Sequence, residues 1–320
     1  MWKTIIRRVL VMIPQLFVLS LLIFIMAKFM PGDPFTGMIT PDTDPARIEE
    51  LRQEAGFYDP WYQQYFNWIM NAANGDFGKS YTYKVAVADL IGDRALNTLW
   101  LSLLSVFLLY LIAIPLGVLA GRYQNSFLDK IVVLYSFISY AIPVFVLALI
   151  FLFFFGYKLQ WFPTSGTVDI KYDSGSIGYL WSKIYHILLP AITFALLGTT
   201  GVIQYLRTEV IDAKSMDYVR TARSKGIPIN KVYTKHIFRN SLLPIAAFLG
   251  FTITGLLGGS IFIETIFGYP GMGQLFIQSI SGRDYSVITA LVMLFGFTTL
   301  LGSLLSDIIM SIVDPRIRID

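Results

Sequence analysis

Charged positions cut this 320-residue chain into long uncharged runs. Six of them reach membrane length: Val9 to Ala27 (19 residues), Ala95 to Gly121 (27), Ile131 to Tyr157 (27), Ile184 to Leu206 (23), Asn240 to Ile263 (24) and Tyr285 to Ser306 (22). An α-helix rises about 1.5 Å per residue, so about 20 apolar residues cross a hydrocarbon core and each run predicts one transmembrane helix. A seventh run, Thr265 to Gly282, is 18 residues long but carries four glycines, Pro270 and two glutamines. Irregular polar backbone is not tolerated in lipid, so this run predicts a re-entrant or outer-surface segment. Lys3, Arg7 and Arg8 precede the first run as they would in a secretory leader. Its apolar part is too long for a leader core, however, and it ends in Met30-Pro31-Gly32-Asp33-Pro34 rather than a small-x-small cleavage site. The segment is therefore expected to stay as a helix.

Composition strengthens this picture. The chain is 55% hydrophobic and only 14% charged, with a mean hydropathy of +0.61, whereas a soluble domain is roughly a quarter charged. That excludes a soluble enzyme. The absence of cysteine removes any disulfide framework, thiolate metal site or thiol nucleophile and leaves the redox compartment open, and two distant histidines do not build a metal centre by themselves. With the N-terminus inside, the inner segments 1–8, 121–130, 207–240 and 313–320 hold 15 Lys and Arg, and the much longer outer segments hold 9. Acidic residues run the other way, 14 outside and 6 inside. Both termini are thus expected in the cytoplasm, and the +4 net charge is a topology signal rather than a sign of nucleic-acid binding.

Two connections are too long to be simple turns. In the outer one, 31–95, Asp42 to Gly56 predicts a short amphipathic helix, with Ile48 and Leu51 three apart among charged neighbours. Trp61, Tyr65 and Trp68 then follow at helical spacing, which fits a helix lying at the membrane interface or a docking surface for an external partner. The inner connection, 207–240, has eight basic and three acidic residues. It predicts a helix from Ser215 to Lys225, with Tyr218, Val219 and Ala222 facing one way and Arg220, Arg223 and Lys225 facing others. Gly226 ends it, with Pro228 beyond. A basic loop touching anionic lipid is the plainer alternative.

Residues 73–80, Ala-Asn-Gly-Asp-Phe-Gly-Lys-Ser, nearly spell a phosphate-binding loop. Ala73 stands where that motif has glycine, no apolar strand precedes it, and the predicted topology puts it outside the cell, so nucleotide binding is rejected. No Gly-x-Ser-x-Gly or His-Glu-x-x-His occurs, and His186 and His236 fall on opposite sides of the membrane. Gly117-x-x-x-Gly121 and Gly255-x-x-x-Gly259 predict close helix packing. The middles of all six runs lack ionisable side chains, whereas an ion-coupled carrier needs a partner for its ion at that depth. Any transport energy is therefore expected to come from outside this chain.

The inner loop reads Asp217-Tyr218-Val219-Arg220-Thr221-Ala222-Arg223-Ser224-Lys225-Gly226, then Arg239-Asn240-Ser241-Leu242-Leu243-Pro244. It resembles the cytoplasmic loop of ABC importer permeases in the subfamily that carries oligopeptides, dipeptides and, in some members, nickel. Pro31-Gly32-Asp33-Pro34, residues 75–80, Asn97-Thr98-Leu99, residues 268–273, Arg283-Asp284-Tyr285 and Asp314-Pro315-Arg316 look like further landmarks in family order, so the resemblance covers essentially the whole chain. Its long first external loop is most similar to that of the B-type subunit. Arg220-Thr221-Ala222 stands where the broader superfamily has Glu-Ala-Ala, and Ser303 where the subfamily has an asparagine.

The resemblance implies an all-α membrane protein of type I importer architecture with six transmembrane helices. The implied organisation is an N-terminal helix (1–30), the external loop (31–95), a five-helix core (96–313) containing the coupling loop 207–240, and a cytoplasmic tail (314–320). It implies a multi-pass protein of a prokaryotic cell membrane, taking up short peptides by alternating access. Implied partners are a second, C-type permease, two cytoplasmic ATPases and an external peptide-binding protein. ATP and Mg²⁺ would belong to the ATPases, with no cofactor, metal or catalytic residue in this chain. Asp217, Tyr218, Arg220, Thr221, Ala222, Arg223, Lys225 and Gly226 would form the ATPase-coupling element, Ala222 by close contact and the basic residues by pairing with acidic groups. No substrate-binding residue is identifiable. A nickel or opine-like cargo, an ion-coupled carrier, a channel and a membrane scaffold are the alternatives.

Overall fold

The computed structural model describes residues 2–29, 45–54, 56–242 and 261–313, together with residues 245, 249, 250, 252 and 255. Helices dominate: α1 (Trp2–Phe29), α2 (Pro45–Glu54), α3 (Trp61–Ala73), α4 (Val87–Arg122), α5 (Phe127–Ala141), α6 (Val144–Phe151), α7 (Ile177–Ala213), α8 (Asp217–Ser224), α9 (Ile261–Ile266), α10 (Met272–Ser281) and α11 (Tyr285–Val313). Short helical turns join α8 to residue 241, and π-turns extend α6 through Lys158.

Among the described residues four helices are long and apolar enough to cross a membrane: Ile5–Phe29, Val87–Arg122, Ile177–Ala213 and Tyr285–Ile312. The run predicted as one span from Ile131 to Tyr157 is broken into two helices, α5 and α6, bent by 101°. Its cause is local. Pro143 has no amide hydrogen and disfavours helical geometry in the residue before it, and Ile142 is extended at φ −88°, ψ 119°. The predicted span from Asn240 to Ile263 lies largely outside the described residues, as do Pro31-Gly32-Asp33-Pro34, Leu243-Pro244 and the tail 314–320. The run Thr265 to Gly282 folds as the end of α9, a turn and the 10-residue α10, too short to span.

α4 and α7 form the spine. Leu109, Ala113 and Ala120 of α4 meet Ala195 and Ile203 of α7, joined by Val132 of α5. The predicted Gly-x-x-x-Gly contact is real at one of its two sites: a β-carbon on Gly121 would stand 2.7 Å from Val210 Cβ and 2.8 Å from the Arg207 carbonyl. The second site includes Gly259, outside the described residues.

α1 and α11 pack together in antiparallel fashion. Arg8 near the start of α1 pairs with Asp307 near the end of α11, Nε to Oδ2 2.6 Å, so these two helix ends lie together at one end of the bundle. At the other end α3 lies on α1: Tyr65 hydrogen-bonds Ser20 (2.8 Å) and packs on Phe24 with ring centres 5.4 Å apart. Trp61, Tyr62 and Phe66 on the far side of α3 remain exposed, an amphipathic placement suited to a membrane interface.

Candidate functional site

The 207–240 loop is built onto the spine by side chains that satisfy helix ends. α4 stops at Arg122, whose carbonyl would be left without an intrahelical partner. Lys214 Nζ donates to it at 3.0 Å, just past the end of α7, and burial lowers this lysine's pKa. The Arg122 guanidinium donates to Asn230 Oδ1 (2.6 Å) and lies 4.6 Å from the centre of the Tyr233 ring. A second tie joins α5 to α7. Arg207 grips Asp129 with two hydrogen bonds, Nε to Oδ1 2.6 Å and Nη2 to Oδ2 2.9 Å, and Asp129 also accepts from the Asn125 amide at 2.8 Å. Asp129 is almost wholly buried, so this planar two-point pair fixes orientation as well as charge.

On this base sits α8. Gly226 takes φ +71°, a left-handed conformation that costs other L-residues about 1 kcal/mol or more. That conformation turns the chain back on itself: the Gly226 amide donates to the Arg223 carbonyl (2.9 Å) and the Ile227 amide to the Ala222 carbonyl (3.3 Å). This pair of bonds is a Schellman closure, and it satisfies carbonyls that the end of a helix leaves free.

The two faces of α8 separate cleanly. Val219 (0% exposed) and Ala222 (4%) sink into a cluster with Leu206, Val210, Val232 and Ile237. Asp217, Arg220, Thr221, Arg223, Lys225 and Gly226 are exposed. Ala222 thus differs from its expected place: its small side chain seats α8 on its own chain and does not face a partner. Tyr218 is half-exposed, and partial burial pushes its phenol pKa upward. The Arg220–Asp217 pair is long (3.7 Å) and solvated, and such pairs contribute little. The outward face is therefore a basic, unobstructed patch on a rigidly held helix.

The opposite end of the bundle gathers several landmarks that the sequence left without roles. Glu264 is fully buried; Oε1 accepts from Thr98 Oγ1 (2.9 Å) and Oε2 from the Gln274 amide in the first turn of α10 (3.0 Å). Thr98 Oγ1 accepts in turn from the Met272 amide (2.8 Å), Asn97 donates to the Pro270 carbonyl (2.9 Å), and Tyr269 donates to the Asn97 carbonyl (3.1 Å). A side chain on Gly271 would collide with the Glu264 carboxyl at 2.4 Å. Asp284 accepts from Ser80 Oγ and from the Thr82 amide (3.1 Å), so the serine of the rejected phosphate-loop lookalike is already engaged within the fold. Among the described residues no group of three or more His, Cys, Asp or Glu is arranged to hold a metal.

Residues 113–319 match the family described as "Binding-protein-dependent transport system inner membrane component", and residues 1–102 match its N-terminal companion. The chain belongs to this family. Its members are permease components of transport systems, which makes this chain a membrane subunit and not itself a catalyst. The oligopeptide transport system permease protein AppB of Bacillus subtilis is 40% identical over 315 residues, 98% of each chain. The glutathione transport system permease protein GsiC of Escherichia coli K12 is 34% identical over 318 residues, 99% of each chain. The similarity is thus end to end: the α8 loop and Glu264 lie inside the permease family match, and the Asn97 and Thr98 partners of the Glu264 shell lie inside the N-terminal match.

Proposed function

We propose that this permease takes up short peptides as one of two paired membrane subunits of an ABC importer, with α8 as the element that receives the stroke of a cytoplasmic ATPase. The observation carrying this reading is the two-sided build of α8. Its apolar face is welded to the spine through Val219 and Ala222, while Arg220, Thr221, Arg223 and Lys225 are exposed at the surface. A force applied to that patch passes into α7 as rigid-body motion, because the helix is closed at Gly226 and tied through Lys214 to α4.

In this assembly the 207–240 loop and both termini face the cytoplasm, as the distribution of basic residues favours. A homologous second permease completes the path, two ATPases bind ATP and Mg²⁺, and an external binding protein delivers cargo. ATP binding draws the ATPases together and opens the permease outward; hydrolysis resets it. The two relatives, one a permease for oligopeptides and one for the tripeptide glutathione, support peptide backbone as the recognised chemistry.

The test is the double reversal Arg220→Glu with Lys225→Glu, assayed for uptake of labelled tri-alanine and glutathione in cells and for membrane insertion. Uptake is expected to fall at least about tenfold, the equivalent of about 1.4 kcal/mol at the interface, with insertion unchanged. Undiminished uptake would overturn the assignment of α8.

A further inference from the structure

The turn that precedes α4 is fastened to the start of α11. The Thr82 amide donates to Asp284 (3.1 Å), as does the Ser80 hydroxyl, and Tyr83 donates to Gln278 Oε1 of α10 (2.8 Å). A β-carbon on Gly282 would stand 3.0 Å from Thr82 Oγ1, so residues 80–83 lie directly on residues 278–284. The turn is also closed on itself: the Ser80 amide donates to the Val85 carbonyl (2.9 Å) and the Lys84 amide to the Ser80 carbonyl (3.0 Å). From this junction α4 runs 36 residues, about 54 Å, to Arg122, where the 207–240 loop is attached. With α8 turned to the cytoplasm, as proposed above, the junction faces outward.

Three cations crowd it. Lys79 and Lys84 on the turn and Arg283 beside Asp284 are exposed, and among the described residues none of them pairs with a carboxylate. Asp284 itself is fully buried, and the carboxylate of Asp76 is engaged by the Gly78 amide at 2.9 Å. Two of the cations sit where the backbone resists them. Lys84 has φ 58° and Arg283 φ 54°, in the left-handed region that glycine enters freely and long side chains only at a cost. A turn is best served there by glycine or asparagine, so the fold alone calls for a cation at neither position.

Cations on a backbone held this firmly suit carboxylates at fixed positions on a folded partner, whereas fluid headgroups need no such fixing. Lipid is also distant. Asp89 and Asp93, both exposed, and Arg94 occupy the first two turns of α4, so the junction stands about 12 Å beyond Ala95, where the uncharged run of that helix begins. The start of α11 shares this height, its Val287 and Leu291 packing with Val87 and Ile91 of α4. We propose that Lys79, Lys84 and Arg283 form the surface on which an acidic face of the external peptide-binding protein docks, a proposal that rests on the importer reading. The patch steers the approach of that partner and sets its register over the outward end of the permease.

The complete importer, purified with its partner subunits and placed in proteoliposomes, is assayed for ATP hydrolysis against added binding protein. The probe is the binding protein whose deletion abolishes uptake of labelled tri-alanine in the same cells. An exposed ion pair is worth about two- to threefold in affinity. Lys79→Gln combined with Lys84→Gly and Arg283→Gly is therefore expected to raise the half-maximal concentration about tenfold at about 0.05 M salt, and to lose most of that difference at about 0.5 M. Its melting temperature should equal or exceed that of wild type, because glycine relieves both left-handed residues. Lys79→Arg with Lys84→Arg and Arg283→Lys, which keeps the charges, should stay within about twofold of wild type. If the neutral triple variant melts below wild type, Lys79→Gln alone decides, with a shift of about twofold or more. An unchanged half-maximal concentration, an equal shift at both salts, or an equal loss in the charge-preserving variant would each overturn the proposal and leave the importer reading standing. So would the same shift in wild type when phosphatidylglycerol is left out of the liposomes, which would assign the patch to lipid. Wild-type hydrolysis that does not respond to the binding protein would overturn both readings.

Discussion

One substitution made at three glycines of α4 tests the spine directly. At Gly121 a new β-carbon would stand 2.7 Å from Val210 Cβ and 2.8 Å from the Arg207 carbonyl. Carbon atoms in ordinary contact are about 3.5–4.0 Å apart, so α4 and α7 would have to separate by close to about 1 Å. Overpacking of this kind costs about 1–3 kcal/mol, offset by the about 0.5–1 kcal/mol that alanine gains over glycine in a helix. Gly121→Ala is therefore expected to be destabilising by about 1–2 kcal/mol. At Gly117 the nearest atoms are 3.0 and 3.1 Å away, and the expected cost is smaller. At Gly92, in the same helix, nothing lies within 4 Å, and Gly92→Ala is expected to stabilise by about 0.5–1 kcal/mol. Thermal unfolding of the purified chain in one detergent should rank the melting temperatures Gly92→Ala above wild type, above Gly117→Ala, above Gly121→Ala. A Gly121→Ala protein as stable as Gly92→Ala would refute the close approach of α4 and α7. Since Gly121 lies one residue before Arg122, whose carbonyl holds Lys214, the same variant should also lower peptide uptake.

Asp129→Ala leaves the one-fifth-exposed Arg207 without its two-point partner and should cost about 2–3 kcal/mol in the same unfolding assay; Arg207→Lys, which has no planar fork, should fail to restore wild-type stability. Glu264→Gln replaces one acceptor oxygen with a donor facing either Thr98 Oγ1 or the Gln274 amide, for an expected loss of about 1.5–3 kcal/mol. A melting temperature within about 1 °C of wild type would contradict that geometry. Ala222→Leu should destabilise by about 1–3 kcal/mol through overpacking, whereas Thr221→Leu, on the exposed face, should leave stability within about 0.5 kcal/mol.

Helices were legible in the sequence because a lipid environment makes the requirement simple: about 20 uncharged residues and satisfied backbone. The break between α5 and α6 was not, since proline alone does not announce one. Pro14, Pro115 and Pro190 lie inside unbroken helices, whereas before Pro143 the preceding residue turns extended. At the loop, Gly226 and Pro228 marked the stop, and the polarity of Arg220, Arg223 and Lys225 marked the outer face. Ala222 was misplaced because a small apolar residue three from Val219 fits a partner's surface or its own core equally well. Glu264 was read as the end of an apolar run; its hydroxyl partner, Thr98, is 166 residues away in sequence, a distance that no local pattern spans.

α7 is a single helix of 37 residues, about 55 Å long, with its proline off-centre. Pro190 lies about 20 Å from the Ile177 end and about 35 Å from the end that carries α8. A proline removes one backbone hydrogen bond and so makes the natural fulcrum of a tilting rod. With the longer arm on the side of the loop, a wide swing at α8 would become a shorter movement at the far end, delivered with about 1.8 times the force. Such gearing suits a gate whose closed state is tightly packed: it trades travel for leverage.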